Sequence, residues 1–179
     1  MFLSQIRKRR SIRKYTEQPV EQEKVAQIIE TLLRAPTSRG LNPWEFVVVT
    51  EKTLLADLSK LKPHGSSFIE NAALAIVICA DPVIAETWIE DTTIAAIMGQ
   101  FTAESLGLGS CWIQVRGRDY SSKLTAEAYI AELLDIPTSL KIESIIAIGY
   151  GNEEKPAKEF ADLQYEKVKL NSYQHPYKA

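Results

Sequence analysis

Cysteine, histidine and methionine occur only twice each in this 179-residue chain, and no apolar run is long. The longest, LAIVICA at 74–80, falls far short of the roughly 20 residues a membrane-spanning helix needs. No apolar stretch follows the basic N-terminus, so a secretory signal is not expected. Cys79 and Cys111 both lie inside apolar segments. That placement suggests reduced thiols and a cytoplasmic protein, not a disulfide framework. His64 and His175 are too far apart in sequence for zinc-type spacing, so no metal site is expected. No G-x-S-x-G elbow is present. Repeats, linkers and low-complexity tracts are also missing. The remaining composition, 45% hydrophobic and 25% charged, is that of one ordinary globular domain.

Charge is unevenly distributed. The first fifteen residues, MFLSQIRKRRSIRKY, contain Arg7, Lys8, Arg9, Arg10, Arg13 and Lys14 and no acid. The whole chain is net −2, so the rest of it stands at −8. A basic cluster on an acidic background points to a held anion. Arginine forks match phosphate oxygens bidentately, and the Ser11 hydroxyl adds a donor. A solvated helix end is the plainer reading. Nucleic-acid binding fits poorly, because the cluster is short, has one aromatic (Tyr15) and no second basic stripe.

Helices and strands alternate along the chain. A short helix is expected at 3–9. Val25, Ile28, Ile29, Leu32 and Leu33 mark an amphipathic helix over 21–35, stopped by Pro36. Strands are expected at 45–50, 74–80, 109–115 and 143–150, and further helices at 52–61, 87–106 and 125–134. The 74–80 run has no polar alternation and reads as buried on both faces. By itself this alternation favours a parallel α/β sheet. The 87–106 helix is apolar over a broad surface (Ile89, Ile94, Ile97, Met98, Phe101), more than one side of a monomer needs. After Gly151 the chain turns polar, with anchors at Phe160, Leu163, Tyr165, Val168, Leu170 and Tyr173. Alternation from Tyr165 to Asn171 suggests an extended arm on a partner surface.

Two further segments carry chemistry. In APTSRGLNPWEF (35–46), Thr37 and Ser38 offer hydroxyls, and Gly40 permits a left-handed turn beside a buried strand. In SLGLGSCWIQV (105–115), a glycine turn joins the long helix to a strand. It is not a dinucleotide fingerprint, which runs from strand to helix.

In order along the chain, RRSIRKY (9–15), APTSRGLNPWEF (35–46), GLGSCWI (107–113) and IIAIGYGNEEKP (145–156) resemble the motifs of the FMN-dependent nitroreductase family, in a short, glycine-containing variant. The resemblance implies an α+β fold with a mostly antiparallel central sheet wrapped by helices, in place of the parallel sheet. It implies an intertwined homodimer, a single FMN-binding domain over 1–160, and a C-terminal arm over 161–179 packed on the partner subunit. Arg9, Arg10, Ser11 and Arg13 match positions that hold the FMN phosphate and part of the flavin edge. Thr37, Ser38, Arg39 and Gly40 match the loop that comes from the other subunit. Trp112, Ile113 and Gln114 match the segment whose backbone approaches flavin N5. Lys155 or Lys158 matches a basic residue completing the phosphate site, with Lys158 taken as the contact. Gly40 replaces the family asparagine, so a hydrogen bond to the flavin is lost or supplied by Arg39. Gly151 replaces a family proline.

The implied activity is that of an oxidoreductase. NADH or NADPH gives hydride to flavin N5 and leaves, and a nitroaromatic, quinone or similar electron-poor acceptor takes its place. Arg10 and Arg13 would face the charge developing at N1–C2=O, and Ser38 and Gln114 are placed to tune N5. No catalytic acid, base or nucleophile is identified. Ene reduction or reductive dehalogenation, and non-enzymatic FMN storage or sensing, are the alternatives. The expected partners are a second copy of the chain and a small-molecule acceptor, with no nucleic acid and no membrane.

Overall fold

The computed structural model describes residues 2–177. Its regular elements are α1 (Phe2–Lys8), α2 (Gln22–Leu33), β1 (Trp44–Val49), α3 (Lys52–Leu58), β2 (Leu74–Ala80), α4 (Trp88–Ser105), β3 (Gly109–Gln114), α5 (Ala126–Leu133) and β4 (Lys141–Gly149). The strands form one sheet in the order β1-β2-β4-β3, and every pairing is antiparallel. The parallel sheet suggested by bare alternation is therefore wrong, and the antiparallel α+β expectation holds. β2 and β3 do run the same way, joined by α4, but β4 inserts between them and pairs with both.

The physical source of the misleading pattern is burial. All seven residues of β2 are buried, as are eight of the nine in β4. Ala75, Val77 and Cys79 face a core with α3, α5 and the 67–71 turn, through Leu55, Leu58, Ile69 and Ile130. Leu74, Ile76 and Ile78 face a second core with α2 and α4, through Ile28, Leu32, Ala95 and Ala103. Two-sided burial makes a strand read as a continuous apolar run whichever way its neighbours point. Gly99 admits the close approach of α2 to α4, since a Cβ there would lie 2.9 Å from a Leu32 methyl.

Local chemistry explains the element ends. Thr125, expected inside the fifth helix, is the N-cap of α5, its hydroxyl accepting from Ala128 N–H at 3.1 Å. α2 stops at Leu33, ahead of Pro36. The β2–β4 register slips between Ile78 and Cys79, leaving Glu143 as an extra residue in a bulge. Beyond Gly151 the chain is not the continuous extended arm that its alternation suggested. It makes 3-10 turns at Phe160–Asp162 and Tyr165–Lys167, then a bridge between Lys169 and Pro176. Phe160 and Tyr173 are 67% and 83% exposed.

Candidate functional site

The basic segment is laid along the outer edge of β3. Ser11 bridges Ser110 in parallel, and Ile12 N–H donates to Ser110 O at 3.0 Å. Gly109 makes this possible, since a Cβ there would stand 2.8 Å from Ile12 Cβ. The other side of the segment is held by the chain after β4. Asn152 N–H donates to Lys14 O at 2.8 Å, and Thr16 N–H to Tyr150 O at 2.9 Å. Glu153 Oε1 accepts from Arg13 N–H at 2.5 Å and from Lys14 N–H at 3.3 Å. These amides, with the Lys155 ammonium at 3.1 Å, hold the Glu153 carboxyl below its usual range. Tyr15 ends the segment as a buried plug, its hydroxyl donating to Ile12 O at 2.6 Å. Burial pushes that phenol well up, so it stays protonated.

Arg9, Arg10, Ser11 and Arg13 therefore sit together on a fixed backbone. Among the described residues, none of these three arginines has a carboxylate within 4 Å. Arg10 donates to Pro156 O, and Arg13 lies over the Phe68 ring, 5.8 Å from its centroid. Lys155 is committed to the backbone, donating to Ser11 O at 2.7 Å. Lys158 instead lines a cavity of about 530 Å³ with Arg9 and Arg10, walled by Leu3, Ile6 and Phe160. On the other side of Arg10 a cavity of about 710 Å³ runs past Ile12, Gly107, Gly109 and Gly151. Gly107 takes φ 76°, and nothing lies within 4 Å of where its Cβ would stand. Arg9, Arg10 and Lys158 around one cavity are a donor set that fits a phosphate monoester, while Arg13 lines neither cavity.

The β3 edge adds neutral donors. Residues 109, 111 and 113 face β4 in the ladder, as does Val115, whose N–H donates to Glu143 O at 3.2 Å. The intervening N–H groups of Trp112 and Gln114 therefore point outward. Ile113 is different, because its backbone is spent on β4 and its side chain is buried. The Gln114 side chain is also engaged. Its Oε1 accepts from Trp112 Nε1 at 3.1 Å, and its amide donates toward Glu143 and Arg116 O. Glu143, buried in the bulge, is paired with Arg116 Nε at 2.7 Å. Glu143 and Glu153 were not singled out from sequence, since an acid in a strand or a polar tail carries no local signal of its partner.

The 37–40 loop lies elsewhere. Thr37 Oγ1 donates to Asn42 Oδ1 at 2.9 Å and accepts from Asn42 N–H at 3.0 Å. Ser38 N–H donates to Asp91 Oδ1 at 2.9 Å, and Thr87 donates to Asp91 Oδ2 at 3.1 Å. Asp91, buried at the start of α4, thus anchors the loop. An acid facing inward from an apolar helix was the available signal for it. Arg39, Gly40 and Asn42 have φ of 54°, 67° and 49°. Arg39 turns toward Glu86 at 3.8 Å, both side chains being exposed. The loop sits at Asp91, while the basic cavity meets α4 at Glu104. Thirteen helical residues separate those points by about 20 Å. The loop also lies at the β1 edge and the basic segment at the β3 edge, three strand spacings or roughly 14 Å apart.

This fold and these segments match the family model described as Nitroreductase family over residues 6–64 and 55–150. The chain belongs to the nitroreductase family. It is 32% identical over 157 residues to an Archaeoglobus fulgidus protein provisionally named NADH dehydrogenase/NAD(P)H nitroreductase, covering 86% of this chain and 87% of that one. An FMN-dependent nitroreductase from Clostridium difficile R20291 superimposes with a TM-score of 0.94 at 48% identity, over 96% of this chain and 99% of that one. The NADPH:FMN oxidoreductase from Vibrio harveyi, complexed with NAD+, superimposes with a TM-score of 0.83 at 25% identity, over 98% and 79%.

Proposed function

We infer that this chain is an FMN-dependent oxidoreductase that passes hydride from NAD(P)H to a small electron-poor acceptor. The observation that carries the reading is the Arg9–Arg10–Arg13 segment, without a carboxylate partner among the described residues, laid against the β3 edge. Bound FMN would supply hydride acceptance and delivery at its N5. The chain supplies the rest. Arg9, Arg13 and Lys158 hold the phosphate, and Ser11 adds a hydroxyl. The outward N–H groups of Trp112 and Gln114 donate to the ring edge. Arg10 and Arg13 offset negative charge that develops on the pyrimidine side of the ring. Nitroaromatics and quinones are the proposed acceptors.

The working unit is a homodimer in the cytoplasm. Residues 37–40 lie at the opposite sheet edge from residues 9–13 of the same chain, which supports Thr37, Ser38, Arg39 and Gly40 coming from the partner. The same dimer covers Ile94 and Ile97 of α4, which are partly exposed in the single chain. It also gives the anchors of the 161–179 arm a surface. Cys79 and Cys111 are free and buried, which suits a reducing compartment. No helix among the described residues is long and apolar enough to cross a membrane.

The test is the visible spectrum of the purified protein, followed by anaerobic NADH. A flavin band that bleaches with NADH and returns with a nitroaromatic or quinone is expected. Flavin indifferent to both NADH and NADPH would instead favour storage or sensing. Failure to take up added FMN would overturn the reading altogether.

A further inference from the structure

The open edge of β3 leads into a second, unassigned cluster. Past Gln114 the chain turns at 115–118, where Gly117 takes φ 70° and Arg118 N–H donates to Val115 O at 3.0 Å. The turn carries Arg118 beside the loop that follows α3. Together they enclose a cleft of about 380 Å³ lined by Lys62, Pro63, His64, Arg118 and Asp119. Lys62 is anchored there, its Nζ donating to Gln114 O at 3.1 Å. An ammonium has three donors, so two remain unclaimed. Among the described residues, neither Lys62 nor Arg118 has a carboxylate within 4 Å, and Asp119 forms no ion pair. Partial burial, and then the Arg118 charge, push the Lys62 ammonium below the usual lysine range. Cations that crowd one another in a cleft create a potential that an anion relieves.

Position gives the anion its class. The Ser11–Ser110 bridge marks one end of the β3 edge, and the Lys62–Gln114 contact marks the other. Four residues of strand separate them by about 13 Å. With the flavin phosphate at the first end, the ring extends toward the second. A dinucleotide whose nicotinamide stacks on that ring must carry its phosphates beyond it. Resting on the flavin reading above, we propose that Lys62, His64 and Arg118 hold the diphosphate of the nicotinamide dinucleotide donor. Asp119, on the same wall, accepts from a ribose hydroxyl and repels a 2′-phosphate set against it.

The holoenzyme is assayed with NADH, NADPH and N-benzyl-dihydronicotinamide, a hydride donor without ribose or phosphate. Lys62→Ala and Arg118→Ala should each raise KM for NADH and NADPH at least tenfold relative to KM for the benzyl donor, and Arg118→Lys should recover part of the loss. An equal loss with the benzyl donor, or no change with any donor, would overturn the proposal. So would a rise confined to NADPH, which would place the 2′-phosphate there. Calorimetry with ADP tests the cleft independently of turnover. Wild-type binding that weakens at least tenfold in Arg118→Ala supports it, and no binding to wild type overturns it. If the flavin reading itself failed, no donor would be oxidised by wild type, while the ADP titration would still judge the cleft.

Discussion

Among the described residues, Arg9 and Arg13 have no carboxylate within 4 Å, so neither guanidinium has to break an ion pair to take an anion. Charge-assisted hydrogen bonds of this kind contribute about 1.5–3 kcal/mol. Arg9→Ala or Arg13→Ala should therefore weaken FMN binding by roughly tenfold to a hundredfold, while riboflavin, which has no phosphate, loses little. Equal loss for both ligands, read by fluorescence titration, would remove the phosphate assignment. Gly109 acts through its neighbour. Adding a methyl there forces Ile12 to shift, since the new atom would lie 2.8 Å from Ile12 Cβ. Overpacking of this kind costs about 1–3 kcal/mol. Gly109→Ala should lower FMN affinity roughly tenfold by displacing the Arg9–Arg13 backbone; unchanged affinity would mean that the segment is not positioned by β3. At Cys79, burial pushes the thiol up to about 12, and burial also raises Cys111 despite nearby Arg13. A raised thiol pKa means little thiolate at any pH below it. Ellman's reagent at pH 8 should titrate no thiol in the native protein and two after denaturation.

At the scale of elements, the helices on each sheet face and the four strands were readable from periodicity to within a few residues. Their pairing was not. β2 and β4 look like the strands of a parallel sheet because α2 and α4 cover one face while α3 and α5 cover the other. Strand direction leaves no mark on such a run. The tail shows the opposite failure. Its anchors were visible, but its alternation through 165–171 was short, and local 3-10 turns prevailed over an extended run. Phe160 lines the cavity of Arg9 and Lys158, so the tail closes one wall of that cavity as well as presenting apolar surface. Truncation before Phe160 should shift the protein to monomer or to insoluble material and weaken FMN retention. A yellow, dimeric truncate in sedimentation analysis would contradict this.

For the whole molecule, the segments 9–13 and 37–40 lie at opposite edges of the sheet. If each flavin takes residues 9–13 from one chain and 37–40 from the other, defects in the two segments complement. A mixed dimer of an Arg13→Ala chain and a Gly40→Trp chain holds one site with both defects and one with neither. The mixed dimer, isolated after co-expression by a different tag on each chain, should hold about half the wild-type flavin, while each variant alone stays pale. No restoration would mean that both segments serve one protomer's site.

Family and fold class were legible in the order of four short motifs, which also nominated the segments of the candidate site, because tight turns and anion binding demand particular residue types at fixed positions. Tertiary structure alone decided which of their atoms are free. Pairing of β3 with β4 turns the backbone of Ile113 inward and leaves those of Trp112 and Gln114 facing out. Lys155 is consumed by Ser11 O, and Lys158 is not. Arg39 goes to Glu86, and Glu153 seats the Arg13 backbone. Each of these outcomes depends on a partner distant in sequence. A residue type states what a side chain is able to bind, but only the fold determines whether that capacity has already been used.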